Sequence, residues 1–240
     1  MSLSLVIPFF NEEKNVEDVI MDIINEFNEK NINYSLIAVN NGSSDNTCDI
    51  LEELSSRYSQ IKIVNINKNI GYGYGVTQGL KVATGDYVGY SVGDGQISGA
   101  DVARVFDEAK RGNIDFCQGR RNKKDLSMRR VSTWGFNFIF HLFFSCPVYD
   151  IGSNPKIMKK DIYLEIKPTS KGWFIDSEII IKNCLRKSKM KEVLVSSSSR
   201  LEGVSKHIIP HTILVVLFGI LRWRFKAWFM KTKIKKSTRQ

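Results

Sequence analysis

The feature that most constrains the fold is an alternation, over the first 120 residues, of short apolar runs with segments of helical periodicity. The apolar runs are rich in β-branched and aromatic residues and predict strands: LSLVIPF, YSLIAVN, IKIVNI, DYVGYSV and IDFCQG. The segments between them predict amphipathic helices: EEKNVEDVIMDIINEFNEK, SDNTCDILEELSSRY, GYGVTQGLKVA and SGADVARVFDEAKR. Such an alternation indicates an α/β fold of parallel strands joined by right-handed crossovers.

Polar turns follow the first four predicted strands: NEE, NNGSSDNT, NKNIGYG and GDGQ, in chain order. Because the carboxyl ends of parallel strands meet at one edge of a sheet, where ligands bind in folds of this kind, these turns predict one site. Taken singly, each turn has a simpler interpretation, since Asn, Gly, Ser and Asp are ordinary turn and helix-cap residues. The GYGYG stretch matches neither a dinucleotide fingerprint nor a P-loop.

The later part of the chain has a different pattern. MRRVSTWGFNFIFHLFF predicts a helix with an aromatic face, DIGSNPKIMKK a return segment, FIDSEIIIKNCLRKS a helix and KEVLVSSSSR a strand. There is no internal repeat and no clear boundary before about residue 205. We therefore expect one domain over residues 1–206, followed by a separate segment over residues 207–240.

The C-terminal segment carries much of the net charge of +10, with eight Lys and Arg and no acid from Arg222 onward. The apolar run ILVVLFGILRW before it is shorter than the roughly 20 residues that span a bilayer. Aromatic residues interleaved with cations are typical of a segment lying on an anionic membrane surface, which predicts a peripheral protein on the cytoplasmic face of the inner membrane. A core helix with a solvated basic tail is the alternative. We expect no nucleic-acid partner, since no binding motif accompanies the charge.

Two further features bear on the compartment. The four cysteines, at positions 48, 117, 146 and 184, are widely spaced with no CxxC pair, which favours free thiols in a reducing environment. The N-terminus begins with an apolar strand rather than a basic region, so we expect no signal peptide.

The motif order VIPFFNEE, VNNGSSDNT, NKNIGYGYGVTQGL, ATGDYVGY and GDGQ resembles the family 2 glycosyltransferases, which have a GT-A fold. GRRNKKDLSMRRVSTWGFN, VYDIGSNPKIMKK, WFIDSEIIIKNCLRKSKMKEV and SRLEGVSK are similar to the acceptor half of the polyprenyl-phosphate sugar synthases, the group that includes dolichyl-phosphate mannose synthase. The likeness covers about residues 3–206. It implies a Rossmann-like α/β domain with a mostly parallel sheet, and inverting transfer of a sugar from a UDP- or GDP-linked donor to a polyprenyl phosphate.

The resemblance also implies roles for individual residues. It implies that the nucleotide sugar is bound at the ends of the strands and the turns after them, by Pro8, Asn11, Glu12, Asn40, Asn41, Gly42, Asp45, Asn69 and Asp94. A DxDxQ stretch that binds Mg²⁺ or Mn²⁺ places its last acid and its Gln on Asp94 and Gln96. The residues implied to bind the acceptor phosphate are Arg120, Arg129, Thr133 and Arg200. The expected catalytic residues are Asp94, Arg120 and Arg129.

Three acids have an open assignment. Asp150, Asp176 and Glu178 either orient the arginines or serve the sugar, and the last two are equally interpreted as acids at a helix N-terminus. A hydroxyl acceptor on a glycan is an alternative to the lipid phosphate, and it would need a base such as Asp150.

Two positions depart from the family pattern. Asn40-Asn41 replaces a common Asp-Asp pair, and Val92 stands where the first metal-binding acid is expected. These departures favour a further alternative, a degenerate GT-A protein that binds without catalysis. The sequence leaves open the sugar, the choice of UDP or GDP, the lipid length, the pathway and homo-oligomerisation.

Overall fold

The computed structural model describes residues 1–121, 128–144 and 146–196, together with residues 219, 222 and 223; for residues 128–134 and 136 it describes the backbone alone. The strands are β1 (Ser2–Phe9), β2 (Asn33–Asn41), β3 (Ile61–Ile66), β4 (Tyr87–Tyr90), β5 (Phe116–Arg121), β6 (Lys156–Lys159) and β7 (Met190–Val195). The helices are α1 (Val16–Glu29), α2 (Thr47–Arg57), α3 (Tyr72–Val82), α4 (Gly99–Arg111), α5 (Met128–Phe143), α6 (Lys160–Ile166) and α7 (Ile175–Arg186). Every predicted strand and helix is present, and α6 is an additional element.

The strands form one mostly parallel sheet in the order β3-β2-β1-β4-β6-β5-β7. Strands β1 to β4 are mutually parallel neighbours, and β5 pairs in parallel with β7. The return segment forms β6, which runs antiparallel to both β4 and β5 and places Lys156 opposite Tyr90. The carboxyl ends of β1 to β5 and the start of β6 therefore lie at the same edge of the sheet.

Helices cover both faces of the sheet and bury a hydrophobic core on each. Helices α1, α2 and α4 pack on one face, where Phe27 and Phe106 are buried. Helices α3, α5, α6 and α7 pack on the other, around Leu80, Phe140 and Ile179. The central strand β1 is buried nearly throughout because it contributes side chains to both cores. Because helices pack on both faces of the sheet, the turns at the strand ends are held in fixed positions.

The GYGYG stretch is explained by packing. A Cβ atom on Gly71, whose φ is +136°, would lie 2.5 Å from the carbonyl oxygen of Lys171, and one on Gly73 would lie 2.5 Å from that of Ser170. The Tyr74 N–H donates a hydrogen bond to the same Lys171 oxygen at 2.8 Å. The glycines therefore let the loop of residues 167–174, hereafter the α6–α7 loop, lie directly on the start of α3.

Two of the cysteines are paired, so the expectation of four free thiols is wrong. Cys146 and Cys184 form a disulfide across a sequence separation of 38 residues, while Cys48 and Cys117 are free. Both partners are partly buried against the core on the α5 and α7 side of the sheet. Their spacing along the chain carries no sign of the pairing, because only the packing of the segment after α5 against α7 brings them together.

Most of the predicted segment over residues 207–240 lies outside the described residues. Of it, Trp223 is buried and stacks beneath the Lys182 amine at 5.3 Å, and a Cβ on Gly219 would lie 2.7 Å from the Phe174 ring. Within the part of the chain that is described, no helix combines the length and the apolar character needed to cross a membrane. Attachment to a membrane surface stays a prediction.

Candidate active site

The turns after β1 and β2 are joined by hydrogen bonds. The Asn11 N–H donates to Ser43 Oγ at 3.1 Å, and Asn11 Oδ1 accepts from the Ser44 N–H at 2.8 Å. The Glu13 N–H donates to Asp45 Oδ2 at 3.2 Å. Asn11 has a φ of +54°, which turns the chain sharply after β1. Two of the turns that the sequence assigned to the nucleotide therefore form one wall.

Asp45 anchors this wall. Its Oδ1 accepts from the Thr47 N–H at 3.1 Å and the Thr47 hydroxyl at 2.6 Å, and that hydroxyl accepts from the Glu12 N–H at 2.9 Å. Burial alone would raise the pKa of the Asp45 carboxyl, but hydrogen bonds from Thr47 and Glu13 outweigh it and hold that pKa below its ordinary value. Asp45 is therefore a carboxylate at neutral pH.

Asn40 and Asn41 at the end of β2 make different contacts. Asn40 Oδ1 accepts from the Ser43 N–H at 3.0 Å, and its amide donates to Asn65 Oδ1 at 3.3 Å. Asn41 is buried, and its amide lies 3.4 Å from the carbonyl oxygen of Gly71. Asn40 thus shapes the turn that follows it, whereas Asn41 packs against the start of α3.

The remaining residues that the resemblance assigns to the nucleotide lie nearby. Gly42 has a φ of +75°, and a Cβ there would lie 2.5 Å from the Asn69 backbone nitrogen, so only glycine lets the turns after β2 and β3 touch. Pro8 lies within β1 opposite Val39, and its carbonyl oxygen is 3.0 Å from where a Gly93 Cβ would be. The turns after β2 and β3 are therefore in contact, and the turn after β4 lies against the end of β1.

The turn after β4 holds Asp94. Its side chain is 8% exposed, and its Oδ1 accepts from the Gln96 N–H at 3.2 Å. Gly95 has a φ of +72°, which the tight turn requires. Val92 packs against the core on the α1 side of the sheet. The residue in place of the first expected acid is therefore an apolar packing residue.

The donor set around Asp94 is small. Among the described residues, no three His, Cys, Asp or Glu side chains come together as a metal site. Asp94 and Gln96 offer one carboxylate and one amide oxygen, which are hard ligands of the type that Mg²⁺ and Mn²⁺ prefer. These residues fit a cation that takes its other ligands from water and from a bound diphosphate.

A buried ion pair that sequence reasoning missed lies beside this turn. Lys156, fully buried at the start of β6, places its amine 2.9 Å from Asp176 Oδ1 and donates to the Ser153 carbonyl oxygen. The Tyr90 hydroxyl donates to the same Asp176 oxygen at 2.7 Å. Burial first, and then the charge of Asp176, raise the pKa of Tyr90 well above its ordinary value. The sequence signal that could have indicated this pair is Lys156 itself, a cation placed directly before the apolar residues Ile157 and Met158 of β6.

Glu178 fixes the α6–α7 loop. Its carboxylate accepts from the N–H groups of Thr169 at 3.1 Å and Ser170 at 2.7 Å, and pairs with the Lys182 amine at 2.7 Å. Near the end of this loop, Trp173 stacks on Tyr72 with ring centroids 4.6 Å apart. Asp176 and Glu178 both lie in the first turn of α7. Glu178 thereby holds the aromatic pair over this edge of the sheet.

The Glu178 carboxylate makes stability depend on pH. Burial alone would raise its pKa, but hydrogen bonds from Lys182 and Ser170 hold the pKa below the ordinary value. A depressed pKa stabilises the fold above the ordinary Glu range, and the stabilisation is lost as the pH falls through the folded-state pKa. We expect Glu178→Gln to lower the free energy of unfolding by about 1–3 kcal/mol at pH 7, with the deficit shrinking below about pH 4.3.

Urea unfolding at several pH values measures this difference. Glu53→Gln, which alters an exposed pair with Arg57, is the matched control and should change little at any pH. A Glu178→Gln deficit that stays constant between pH 7 and pH 3.5 would contradict the assignment.

The expected acceptor residues are only partly described. Arg120 lies at the end of β5 with its guanidinium 5.1 Å from the centre of the Tyr149 ring. The backbones of Arg129 and Thr133 lie in α5, but their side chains are outside the described part, as is all of Arg200. Asp150 forms a two-point ion pair with Arg121, at 2.8 and 2.6 Å, rather than with Arg120.

The fold and this edge together define a GT-A type α/β protein. Glucosyl-3-phosphoglycerate synthase from Mycobacterium tuberculosis, solved with Mn²⁺, UDP and phosphoglyceric acid, superposes with a TM-score of 0.71 over 93% of this chain and 78% of that one. At 16% identity this likeness shows the fold alone. The profile of glycosyl transferase family 2 matches residues 4–166, and the chain belongs to that family. The family predicted from the motif order is thus confirmed.

Similar proteins of known name act on polyprenyl phosphates. Dodecaprenyl-phosphate galacturonate synthase of Rhizobium johnstonii is 28% identical, over 90% of this chain and 65% of its own length. Dolichol-phosphate mannosyltransferase of Pyrococcus furiosus is 28% identical, over 86% of this chain and 59% of its own. Dolichyl-phosphate beta-glucosyltransferase of Saccharomyces cerevisiae is 24% identical, over 81% of this chain and 66% of its own length. The chain thus spans about two thirds or less of the length of these relatives.

Proposed function

We propose that the protein transfers a sugar from a UDP- or GDP-linked donor to a polyprenyl phosphate, with inversion at the anomeric carbon. The observation that carries the proposal is that the turns after β1 to β4, the last of which holds Asp94, meet the Arg120 end of β5 at one edge of the sheet. The names of the similar proteins support the class of acceptor.

The donor nucleotide binds along the wall formed by the first turns. Asn11, Asn40 and Asp45 present polar groups there, and Asn69 borders it. Pro8 and Glu12 shape its β1 side, and Gly42 keeps the β2 turn close to Asn69. The Asn40-Asn41 pair bears no charge, so the end of β2 beside the nucleoside carries amides in place of carboxylates.

The diphosphate lies against the β4 turn. Asp94 and Gln96 would hold Mg²⁺ or Mn²⁺ there, and a cation so held would neutralise the diphosphate charge as a Lewis acid. Asp94 is the one carboxylate in the turn of residues 91–98, so the cation would take its other ligands from the diphosphate and water.

The acceptor is an anion that needs orientation more than deprotonation. Arg120, with Arg129, Thr133 and Arg200, holds the lipid phosphate by charge-assisted hydrogen bonds. One phosphate oxygen forms a bond to the anomeric carbon as the bond from that carbon to the diphosphate oxygen breaks. The electron pair leaves with the nucleoside diphosphate and no proton moves. Both Asp150 oxygens are engaged by Arg121, which argues against Asp150 as the base for a hydroxyl acceptor.

The lipid approaches along α5. Leu142 and Phe138, one helical turn apart on that helix, are 71% and 58% exposed. With the basic segment over residues 207–240, this face would rest on the cytoplasmic face of the membrane and receive the polyprenyl chain. The protein would then act as a peripheral membrane enzyme.

A second candidate is a degenerate protein that binds a nucleotide sugar without transferring it. The packing of Val92 against the core favours this candidate, since an apolar residue there leaves one carboxylate for the cation.

Transfer assays separate the two. Purified protein is incubated with short-chain polyprenyl phosphate, Mg²⁺ or Mn²⁺ and a panel of UDP- and GDP-sugars, and glycosylated lipid phosphate is measured by mass spectrometry. We expect product with one nucleotide series and none after chelation of the metal. No product from the natural chain, with product from Val92→Asp, would establish the degenerate alternative.

We expect Arg120 to bind the acceptor phosphate and to have no part in binding the donor. We expect Arg120→Ala to raise the KM for polyprenyl phosphate by about 10- to 100-fold, because a charge-assisted contact is lost, while the donor KM is unchanged. Arg120→Lys should recover only part of the effect, since an ammonium lacks the planar fork. Arg57→Ala, at the exposed end of α2, is the control. An unchanged acceptor KM in Arg120→Ala would exclude this role.

A further inference from the structure

We infer that Tyr149 is a positioning residue for the acceptor: its ring holds the Arg120 guanidinium in place and leaves the N–H donors of that guanidinium available to the lipid phosphate. The inference rests on the proposed function and adds a residue to the expected acceptor site. It starts from the contact between the two side chains, in which the Arg120 guanidinium lies 5.1 Å from the centre of the Tyr149 ring. A cation within about 6 Å of the centre of an aromatic ring face is attracted by the ring quadrupole.

Two neighbouring arginines at the end of β5 have different partners. Arg121 is held at two points by the Asp150 carboxylate, at 2.8 and 2.6 Å. Within the described part of the chain, Arg120 has no carboxylate within ion-pair distance, and its charge meets the Tyr149 ring instead. A carboxylate would engage the N–H donors of a guanidinium, whereas a ring face attracts the charge and leaves those donors available. Arg121 therefore holds the fold together, and Arg120 keeps its donors for an anion.

The structure around Tyr149 fixes its ring. The Glu192 carboxylate on β7 accepts from the backbone N–H groups of Tyr149 at 2.8 Å and Asp150 at 2.9 Å. The same carboxylate accepts from the side-chain amide of Gln118 on β5 at 2.9 Å. The Tyr149 ring also lies against His141 of α5, with ring centroids 5.8 Å apart. Contacts with β5, β7 and α5 thus hold Tyr149, although the residue is 61% exposed.

A fixed ring prepares the arginine for binding. An arginine side chain has many rotamers, and ordering it when a ligand binds costs free energy. Contact with the Tyr149 ring restricts the Arg120 guanidinium before the acceptor arrives. The ring also contacts α5, whose exposed Phe138 and Leu142 form the proposed lipid face. Tyr149 therefore joins the cation that meets the phosphate to the apolar face that meets the polyprenyl chain.

Binding of short-chain polyprenyl phosphate, measured by calorimetry without a donor, tests this role separately from transfer. Tyr149→Leu removes the ring and keeps an apolar side chain. We expect it to weaken binding by about two- to fivefold, which is the size of a cation–π contact at an exposed site. Tyr149→Phe should restore most of this affinity, because the contact uses the ring face and not the hydroxyl. Tyr58→Leu, at the C-terminal end of α2, is the matched control and should bind as the natural chain does.

A double variant shows whether the ring acts through the arginine. In an Arg120→Ala background, Tyr149→Leu should weaken binding no further, because the cation that the ring holds is absent. Polyprenol of the same length lacks the phosphate, so Tyr149→Leu should not change its binding. A ring that touches the lipid directly would instead give the same loss in both backgrounds and with both lipids. Thermal unfolding checks that each variant folds.

The outcomes are distinct. Unchanged phosphate binding in Tyr149→Leu, an equal loss in Tyr149→Phe, or a loss that persists without Arg120 would each overturn the inference. No binding of polyprenyl phosphate by the natural chain would overturn the proposed function and the inference together. Binding with the expected dependence on Tyr149, but no lipid product with any donor, would uphold the inference and refute transfer. Product from the natural chain, with unchanged binding in Tyr149→Leu, would uphold transfer and overturn the inference alone.

Discussion

Replacing Asp94 with Asn is expected to lower kcat/KM for sugar transfer by about a thousandfold. Asp94 is the single carboxylate that the β4 turn offers to the cation and diphosphate, and metal-assisted charge stabilisation contributes several kcal/mol to such reactions. At 1.36 kcal/mol per tenfold in rate, a loss of about 4 kcal/mol corresponds to a thousandfold. The effect is large because Val92 leaves no second acid in the turn to compensate.

The substitution is chosen to preserve the turn. Asn has nearly the volume of Asp, and its side-chain oxygen can still accept from the Gln96 N–H. The thermal midpoint should therefore change little. Asp86→Asn, just before β4 at the opposite end of the same strand, is the control, because that carboxylate accepts from the Ser2 N–H at 2.7 Å and lies 3.9 Å from the Met1 amine. Activity of Asp94→Asn within threefold of the natural chain would refute the assigned role of Asp94.

Replacing Asp176 with Asn is expected to destabilise the fold by about 3–5 kcal/mol, the usual cost of leaving one member of a buried ion pair without its partner. Lys156 is fully enclosed, and Asp176 is its only carboxylate within ion-pair distance in the described part of the chain. For a chain of this size the thermal midpoint should fall by about 10 °C. Transfer should be lost as well, because the pair lies beside the β4 turn.

A double variant separates stability from activity. Asp176→Asn combined with Lys156→Met removes both charges and replaces the buried amine with an apolar chain of similar length. Stability should return to within about 1–2 kcal/mol of the natural chain, because no unpaired charge is then buried. Activity should stay low, since the double variant also changes the groups next to the sugar. If the single variant unfolds no more easily than the double variant, the ion pair is not what holds this part of the fold.

The strands and helices could be predicted from the sequence because the patterns that indicate them are local. The apolar run LSLVIPF and the helical spacing over VEDVIMDIINEF depend on neighbours a few residues away, and both became the expected elements β1 and α1. The strand-end turns were readable too, since parallel strands bring their carboxyl ends to one edge whatever the detailed packing. The family followed from the order of these turns.

The missed parts of the site depend on contacts between distant residues. The pairing of Lys156 with Asp176 needs β6 to run antiparallel beside β4, and nothing near Lys156 in the sequence indicates that register. The stack of Trp173 on Tyr72 needs the α6–α7 loop to pack on two glycines about 100 residues earlier. The Cys146–Cys184 pair likewise joins segments that the chain keeps apart.

The sequence by itself therefore determined the class of fold, the edge of the sheet that holds the candidate site, and the family to which the chain belongs. Only the tertiary structure decided that Lys156 pairs with Asp176 at this edge, and that Val92 packs against the core. The physical reason is that periodicity and turn chemistry are properties of short stretches of chain. Burial and buried ion pairing arise only when distant stretches exclude water between them.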